Sequence, residues 1–201
     1  MADDWEASDR KLHKASVAAI KRFARENPGQ AVCCFFFDCD EPRYGHLSIS
    51  LDTPENNVRA VKELEAHAVE SRAENLRGKI TWEWAKYQLS TPVLSPFNTN
   101  SGDFEFPEYA EVEFPAWVRL AEEGNYPRGA EHEDDYLESN ARLVMWRVAE
   151  QLVTEDAFAP LTLASPFLLG YSIHDQEEVI LRMLNWPKQA EPYAAADRRG
   201  R

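Results

Sequence analysis

The residues best suited to chemistry in this sequence are two aspartates that follow an apolar run. Asp38 and Asp40 come after Phe35-Phe36-Phe37, so a buried strand would present both carboxylates at its end. Paired carboxylates bind Mg²⁺ and hold it beside a phosphate. One hypothesis is therefore a small metal-dependent hydrolase or phosphate-handling enzyme with Asp38 and Asp40 as metal ligands. Against it, Glu41-Pro42 replaces the Gly-Thr step usual in phosphatases, and Asp, Pro and Gly also favour a simple polar turn.

His174 is an alternative catalytic residue, because it lies between a predicted strand and a predicted helix. Ser172 and Asp175 are its neighbours, but residues this close along the chain cannot form a catalytic triad by themselves. A hydrolase built on His174 therefore needs distant partners, and Asp175 is also explained as a helix cap. The chain has no glycine-rich phosphate loop and no dinucleotide-binding motif, so no cofactor is expected.

The three cysteines of the chain, Cys33, Cys34 and Cys39, lie within one short stretch. An odd, clustered set does not form a disulfide framework, which favours a reducing, cytoplasmic location. With His46 they offer four nominal zinc ligands. Adjacent residues of an extended strand point to opposite faces, so we expect Cys33 and Cys34 to pack as small apolar groups rather than share an ion.

The negative charge of the chain is concentrated in one segment. The net charge is −13, and residues 101–140 contribute −10 of it, with twelve acidic residues against two arginines. Such an acidic chain disfavours direct binding to nucleic acid, which requires a basic surface. A local negative field instead attracts cations or a basic protein and accelerates their association.

Aromatic residues alternate with the acids of this segment, a composition that suits a protein-binding surface. The residues predicted to form it are Glu105, Phe106, Glu108, Glu111, Glu113 and Trp117. The preferred hypothesis is therefore a non-catalytic binding protein whose partner is a basic protein such as a toxin. The alternative is a long solvated loop whose aromatics fix it to the core.

The first half of the chain predicts two helices and three strands. Apolar spacing indicates an amphipathic helix over residues 4–26, ended by Asn27-Pro28-Gly29. Strands are predicted at 31–37, buried on both faces, at 44–51, as an antiparallel partner, and at 80–87. Thr53-Pro54 begins a second helix that runs to about Ser71, and its apolar face carries Val58, Val61, Leu64 and Ala68.

The second half predicts a long irregular acidic segment and then regular elements. Residues 90–130 contain five prolines, and only 116–123 indicate a short helix there. A long helix follows from about Asp134, with Leu137, Ala141, Val144, Val148 and Leu152 on one face. Residues 167–173 predict a strand. Asp175 and Glu178 form a capping box for a last helix carrying Val179, Ile180, Met183 and Leu184.

These elements alternate without an internal repeat, which predicts a single α/β or α+β domain over residues 1–188. Its sheet is expected to be mainly antiparallel or mixed and flanked by helices, with residues 189–201 as a loosely ordered tail. The apolar stretch 161–173 is too short for a membrane span, and the acidic N-terminus lacks the features of a secretion signal. We therefore expect no membrane contact.

The order of several short segments resembles a bacterial family known as domain of unknown function number four thousand three hundred and three. The segments that carry the resemblance are Val32–Asp38, Leu51-Asp-Thr-Pro-Glu55, Ile80-Thr-Trp-Glu-Trp84, Leu169–Gln176 and Leu184-Asn-Trp. The resemblance implies a single cytosolic α/β domain without an established activity. It also implies an immunity-type role as one form of protein binding, and it supplies no catalytic residue.

Overall fold

The sheet is built outward from the apolar run that follows the first helix. The computed structural model describes residues 2–76, 97–124, 126, 133–173 and 178–185. Strand β1 (Ala31–Cys39) is buried from Val32 to Phe37, on both faces, as predicted. It pairs antiparallel with β2 (His46–Asp52) and parallel with β4 (Thr162–Ile173). A strand hydrogen-bonded on both sides and covered on both faces must be apolar throughout.

Two further strands complete a five-stranded mixed sheet with the order β3-β2-β1-β4-β5. Strand β3 (Phe106–Glu113) pairs antiparallel with β2, and β5 (Val179–Leu184) pairs antiparallel with β4. The described helices are α1 (Ala2–Glu26), α2 (Pro54–Leu76), α3 (Pro115–Glu123) and α4 (Glu133–Thr154). The chain is therefore a single α+β domain, one of the two predicted classes.

Helices α1, α3 and α4 supply the layer on one face of the sheet. Alternate strand residues point into this layer, and the predicted face of α4 is fully buried against them. The main core thus contains Leu12, Phe23, Phe35, Phe37, Leu47, Ile49, Trp117, Leu137, Val144, Val148, Phe167 and Leu169. Helix α1 also contacts the edge strand β3.

Strand β3 is held to α1 by two basic side chains. The Lys11 ammonium donates to the backbone carbonyl of Glu113, and the Arg22 guanidinium donates to that of Tyr109. Arg22 also lies over the Tyr109 ring, with its Cζ atom 3.9 Å from the ring centroid. Backbone acceptors of an edge strand are therefore used inside the molecule.

The second face of the sheet is half apolar and half polar. Its apolar part is a smaller cluster around Phe36, whose ring meets Phe104 edge-on with centroids 5.4 Å apart. Its polar part follows the same alternation along β1, β2 and β4, and its members are Asp38, Ser48, Ser50, Asp52 and Ser172. Residues 97–105 and the start of α2 lie against this face.

The apolar face predicted for α2 is not buried. Val58 and Leu64 are 54% and 45% exposed, and the helix continues to Leu76 instead of ending near Ser71. From Pro54 to Glu70, its buried residues are Asn56, Asn57 and Ala60, close to its first turn. The reason is that only the beginning of α2 contacts the sheet, and the contacts it makes there are with polar groups.

Two other predictions are wrong. The segment expected to be irregular contains all of β3 as well as the short helix α3, which was predicted at 116–123 and begins one residue earlier. The predicted last helix is strand β5, because its residues complete hydrogen bonds along the free edge of β4. The predicted strand at 80–87 and the tail at 189–201 lie outside the described residues.

Gly170 allows β4 to fit between its neighbours, and its replacement tests this packing. A Cβ atom there would lie 2.6 Å from the Val179 carbonyl oxygen and 2.7 Å from the Phe36 ring. We expect Gly170→Ala to lower the free energy of unfolding by about 1–3 kcal/mol in urea denaturation, because the core is overpacked. Gly102→Ala is the control, since its nearest contact would be a side-chain oxygen at 3.4 Å. Equal stability of the two variants would contradict this account.

Candidate functional site

A polar pocket of about 450 Å³ opens at the carboxyl ends of β1 and β4. These strands are parallel, so their last residues meet at one edge of the sheet, a position where side chains from several segments converge. The lining residues are Asp38, Cys39, Asp40, His46, Ser48, Asn100, Ser101, Glu108, Ser172, Ile173 and Glu178. The lining residues thus come from β1, β2, β3 and β4, from Asn100 and Ser101, and from Glu178, which precedes β5.

Asp38 forms the floor of this pocket and is held by three hydroxyl groups. Its Oδ1 atom accepts hydrogen bonds from Ser172 Oγ at 2.6 Å and from Ser101 Oγ. Its Oδ2 atom accepts one from Ser50 Oγ at 2.7 Å. The pairing of Asp38 with Ser172 across the β1–β4 ladder explains why these side chains meet. The carboxylate is therefore fixed in position and largely satisfied.

Three more carboxylates, Asp40, Glu108 and Glu178, surround the opening of the pocket. Glu108 has a left-handed backbone (φ 48°), and its N–H donates to Ser50 Oγ at 3.0 Å, which fixes that part of β3 beside the pocket. Among the described residues that line this pocket there is no Lys or Arg, and His46 is the one titratable base. Within the described part of the chain, the pocket is therefore strongly acidic.

Cys39 shows how this charge acts on a neighbouring group. Burial, followed in order of importance by the carboxylates of Asp40, Asp38 and Glu138, raises the pKa of the Cys39 thiol to about 12. The thiol is also a donor to the His46 carbonyl oxygen at 3.7 Å. A protonated thiol is a poor nucleophile, so Cys39 has the properties of a packing residue.

No three ligand groups that the described residues bring to the pocket come within 4.8 Å of one another, as a shared metal ion would require. Among the described residues, the one group of three ligand atoms that lie within 4.8 Å of one another is Cys33, Cys34 and Asp52, away from the pocket. Asp38 and Asp40, the predicted metal ligands, therefore have no third protein ligand in place within the described ranges. His174, the alternative catalytic residue, lies outside them.

The group formed by Cys33, Cys34 and Asp52 corrects an expectation about the cysteines. A register shift between Val32 and Cys34 interrupts the regular alternation of β1, and the two thiols come into hydrogen-bonding contact. That contact, together with burial, raises the pKa of Cys34 far above its usual range. Both thiols are buried, so the pair packs inside the molecule, as predicted, although not from opposite faces.

Asp52 is fully buried and organises the second polar centre of this face. Its Oδ1 atom accepts from Asn56 Nδ2 at 2.7 Å and from the Glu105 N–H at 3.1 Å. Its Oδ2 atom accepts from Asn57 Nδ2 at 2.9 Å. These bonds tie β2 to the first turn of α2 and to the segment before β3, so Asp52 is structural.

The two aromatic residues of the predicted binding surface belong to the core, which corrects that part of the prediction. Trp117 is 1% exposed, stacks on Phe114 with centroids 4.2 Å apart, and donates its Nε1–H to Ser8 at 3.0 Å. Phe106 packs edge-on against Phe23 at 4.9 Å. Trp117 is therefore not accessible to a partner, and Phe106 is half-buried against α1.

The acidic residues of the predicted surface are separated by the fold. Glu108 lines the pocket, and Glu111 lies beside it, with Oε2 3.8 Å from His46 Nε2. Glu113 is exposed further along β3, and Glu105 accepts a hydrogen bond from the Thr53 hydroxyl. Other acids of residues 101–140 lie on α3 and α4, in the layer that covers the opposite face of the sheet. One continuous acidic region is therefore replaced by a smaller one around the pocket.

Sequence reasoning missed most of the pocket wall, namely His46, Ser48, Asn100, Ser101 and Glu178. Ser48 and Ser50 carried a signal, because polar residues alternating with Leu47, Ile49 and Leu51 mark the second face of a strand. The other members come from distant segments, and no local pattern assigns them to one place.

The Asp52 network makes a specific prediction for stability. Asp52→Ala removes one acceptor from each of the buried Asn56 and Asn57 amides and one from the part-buried Glu105 N–H, and each such loss costs about 1–3 kcal/mol. We expect the free energy of unfolding to fall by at least about 3 kcal/mol in urea denaturation. Asp103→Ala is the control, because the Asp103 carboxylate makes one exposed hydrogen bond, with Asn100. A small effect of Asp52→Ala would show that the network contributes little.

Comparison with known proteins adds no relative to this picture. No family model matches the chain, and neither the curated proteins nor the solved structures include a significant match. The resemblance drawn from short segments therefore stays a prediction. Among the described residues, no helix combines the length and the apolar character needed to cross a membrane.

Proposed function

We propose that this chain is a non-catalytic protein-binding module whose acidic pocket takes a cationic side chain of a basic partner protein. The observation that carries the proposal is the pocket of about 450 Å³ that Asp38, Asp40, Glu108 and Glu178 line, with no lysine or arginine lining it in the described part of the chain. Negative groups around a cavity attract positive ligands more strongly than the same groups on a flat surface.

The spacing of the acceptors favours a guanidinium or ammonium group over a small metal ion. A metal needs several ligand atoms at about 2.0–2.6 Å from one point. A guanidinium carries five N–H donors on a planar group and can use acceptors that lie further apart. The fixed Asp38 carboxylate at the floor and the more exposed carboxylates at the opening offer such acceptors.

Acidic residues outside the pocket support the same partner. Glu111 and Glu113 extend the negative charge along β3, next to Glu108. Exposed charges of this kind contribute mainly to the association rate, because they steer an oppositely charged protein before contact. The pocket would then determine which side chain is held.

The alternative, a metal-dependent hydrolase or phosphate-handling enzyme, has less support. Both oxygens of Asp38 already accept hydrogen bonds, and the described residues place no third ligand with Asp38 and Asp40. A phosphate would also meet carboxylates on several sides of the pocket, and like charges repel.

Binding of acetyl-arginine amide tests the proposal directly. We expect saturable shifts of the backbone amides of Ser48, Ser101 and Ser172 in NMR titration, weakened by salt because the attraction is electrostatic. The citrulline analogue is the neutral control and should cause no such shifts. Replacing Asp40, Glu108 and Glu178 together by their amides should reduce the affinity about tenfold or more, since each lost charge pair is worth up to about 1 kcal/mol.

The matched control removes three exposed acids elsewhere, with Glu65→Gln, Glu70→Gln and Glu122→Gln. It changes the net charge by the same amount and should leave the affinity within about twofold. Equal binding of citrulline, or an equal loss in the control variant, would contradict a specific cation pocket.

A titration with Mg²⁺ and Mn²⁺ separates the two functions. A metal site formed by Asp38 and Asp40 should raise the unfolding temperature with cation concentration, following mass action. We expect instead a weak response that NaCl of equal ionic strength reproduces, because dispersed carboxylates are only screened. A saturable rise that Asp40→Asn abolishes would favour the hydrolase.

A further inference from the structure

A second cavity, of about 200 Å³, adjoins the acidic pocket. The two share Asn100 and Glu178 as lining residues, so Glu178 lies at the boundary between them. The second cavity has a different character, because apolar side chains of α2 and of the segment before β3 form much of its wall. These are Val61, Leu64 and Phe97.

Leu64 gives this cavity an apolar surface that the described residues leave accessible. It is 45% exposed, although it lies within a few residues of the buried start of α2. An accessible leucine is ordinary on its own. Its position in a cavity that shares two lining residues with an acidic pocket is what points to a ligand with an apolar part beside a positive charge.

Asn98 supplies an independent sign of an absent partner. It is 2% exposed and lines the second cavity. Its backbone and its Oδ1 atom are engaged, since the N–H donates to Asn57 Oδ1, the carbonyl accepts from Asn57 Nδ2, and Oδ1 accepts from the Asn100 N–H. The Nδ2 group, a donor of two hydrogens, has no hydrogen-bond acceptor within the described structure. A buried unpaired donor is costly, and an acceptor on a ligand would satisfy it.

We propose that the two cavities form one groove that binds an arginine or lysine of the partner together with an adjacent apolar residue. The cationic side chain lies in the acidic pocket, and the apolar side chain packs against Val61, Leu64 and Phe97. A backbone carbonyl of the same segment accepts a hydrogen bond from Asn98 Nδ2. This inference rests on the proposed function and specifies the sequence that the pocket selects.

The two parts of the groove contribute in different ways. The electrostatic attraction selects the cationic side chain, and salt weakens it. The contribution that burial of an apolar side chain makes to affinity is nearly independent of salt. A peptide backbone joins the two side chains and brings its own acceptor. A polyamine or a lone metal ion offers neither an apolar side chain nor a carbonyl, so a peptide segment fits these observations better.

Short peptides test the selection. The probes are acetyl-Arg-Leu-amide, acetyl-Leu-Arg-amide, acetyl-Arg-Gly-amide and acetyl-citrulline-Leu-amide, titrated into the full chain by NMR. We expect at least one of the two peptides with both arginine and leucine to bind about tenfold more tightly than the glycine peptide, since its leucine is buried. On binding, the Asn98 side-chain amide signals should move in the direction of a new hydrogen bond.

Variants of α2 locate the apolar part. Leu64→Ser should remove most of the preference for leucine over glycine and leave binding of acetyl-Arg-Gly-amide unchanged. Val69→Ser is the matched control, because Val69 is 70% exposed on the same helix and does not line the groove. Leu64→Ala serves as a milder second variant if Leu64→Ser disturbs the helix.

The outcomes separate this inference from the proposed function. Equal binding of the leucine and glycine peptides, with the arginine still required, would overturn the groove and leave the acidic pocket intact. Equal binding of the citrulline peptide would overturn both. Tighter binding of spermidine than of any peptide would also overturn the groove, because spermidine lacks the apolar side chain and the carbonyl.

Discussion

The polar face of the sheet depends on the need of two carboxylates for hydrogen-bond donors. Asp38 and Asp52 both point to the side away from α1 and α4, and Asp52 is fully buried there. A buried carboxylate without donors would be strongly destabilising, so the surrounding chain must supply them. Asp52 accepts hydrogen bonds from side chains of the first turn of α2 and from the Glu105 N–H. Asp38 accepts hydrogen bonds from three serine hydroxyls. These contacts determine how residues 97–105 cross the sheet.

The same requirement distinguishes a carboxylate that the fold encloses from one that lines an open pocket. Asp52 is enclosed by its donors, so its charge is used within the fold. Asp38 accepts hydrogen bonds from three serine hydroxyls, yet it still lines an open pocket. The parallel β1–β4 pair is responsible for this difference, because it brings the ends of two strands together and leaves the space beyond them to loops and to Glu178.

The sequence predicted those elements whose apolar pattern allows a single interpretation. The run at β1 and the spacing from Leu137 to Leu152 belong to this class, and both are buried as expected. Six residues at β5 fit a helix or a strand equally, and only the free edge of β4 decides between them. Trp117 could be assigned to the core rather than to the surface only once the element that covers it was known. The pocket was even less accessible to prediction, because its walls come from segments that no local pattern connects.

The attachment of β3 to α1 has a consequence for the molecule in solution. An edge strand with free carbonyls is a template on which a strand of another molecule can assemble, and such assembly leads to aggregation. Lys11 and Arg22 already donate hydrogen bonds to two carbonyls of β3. The first helix therefore hinders the pairing of that edge with a strand of another molecule. In a chain with so many acidic residues, two basic side chains of the first helix thus occupy backbone acceptors that the strand of another molecule would need.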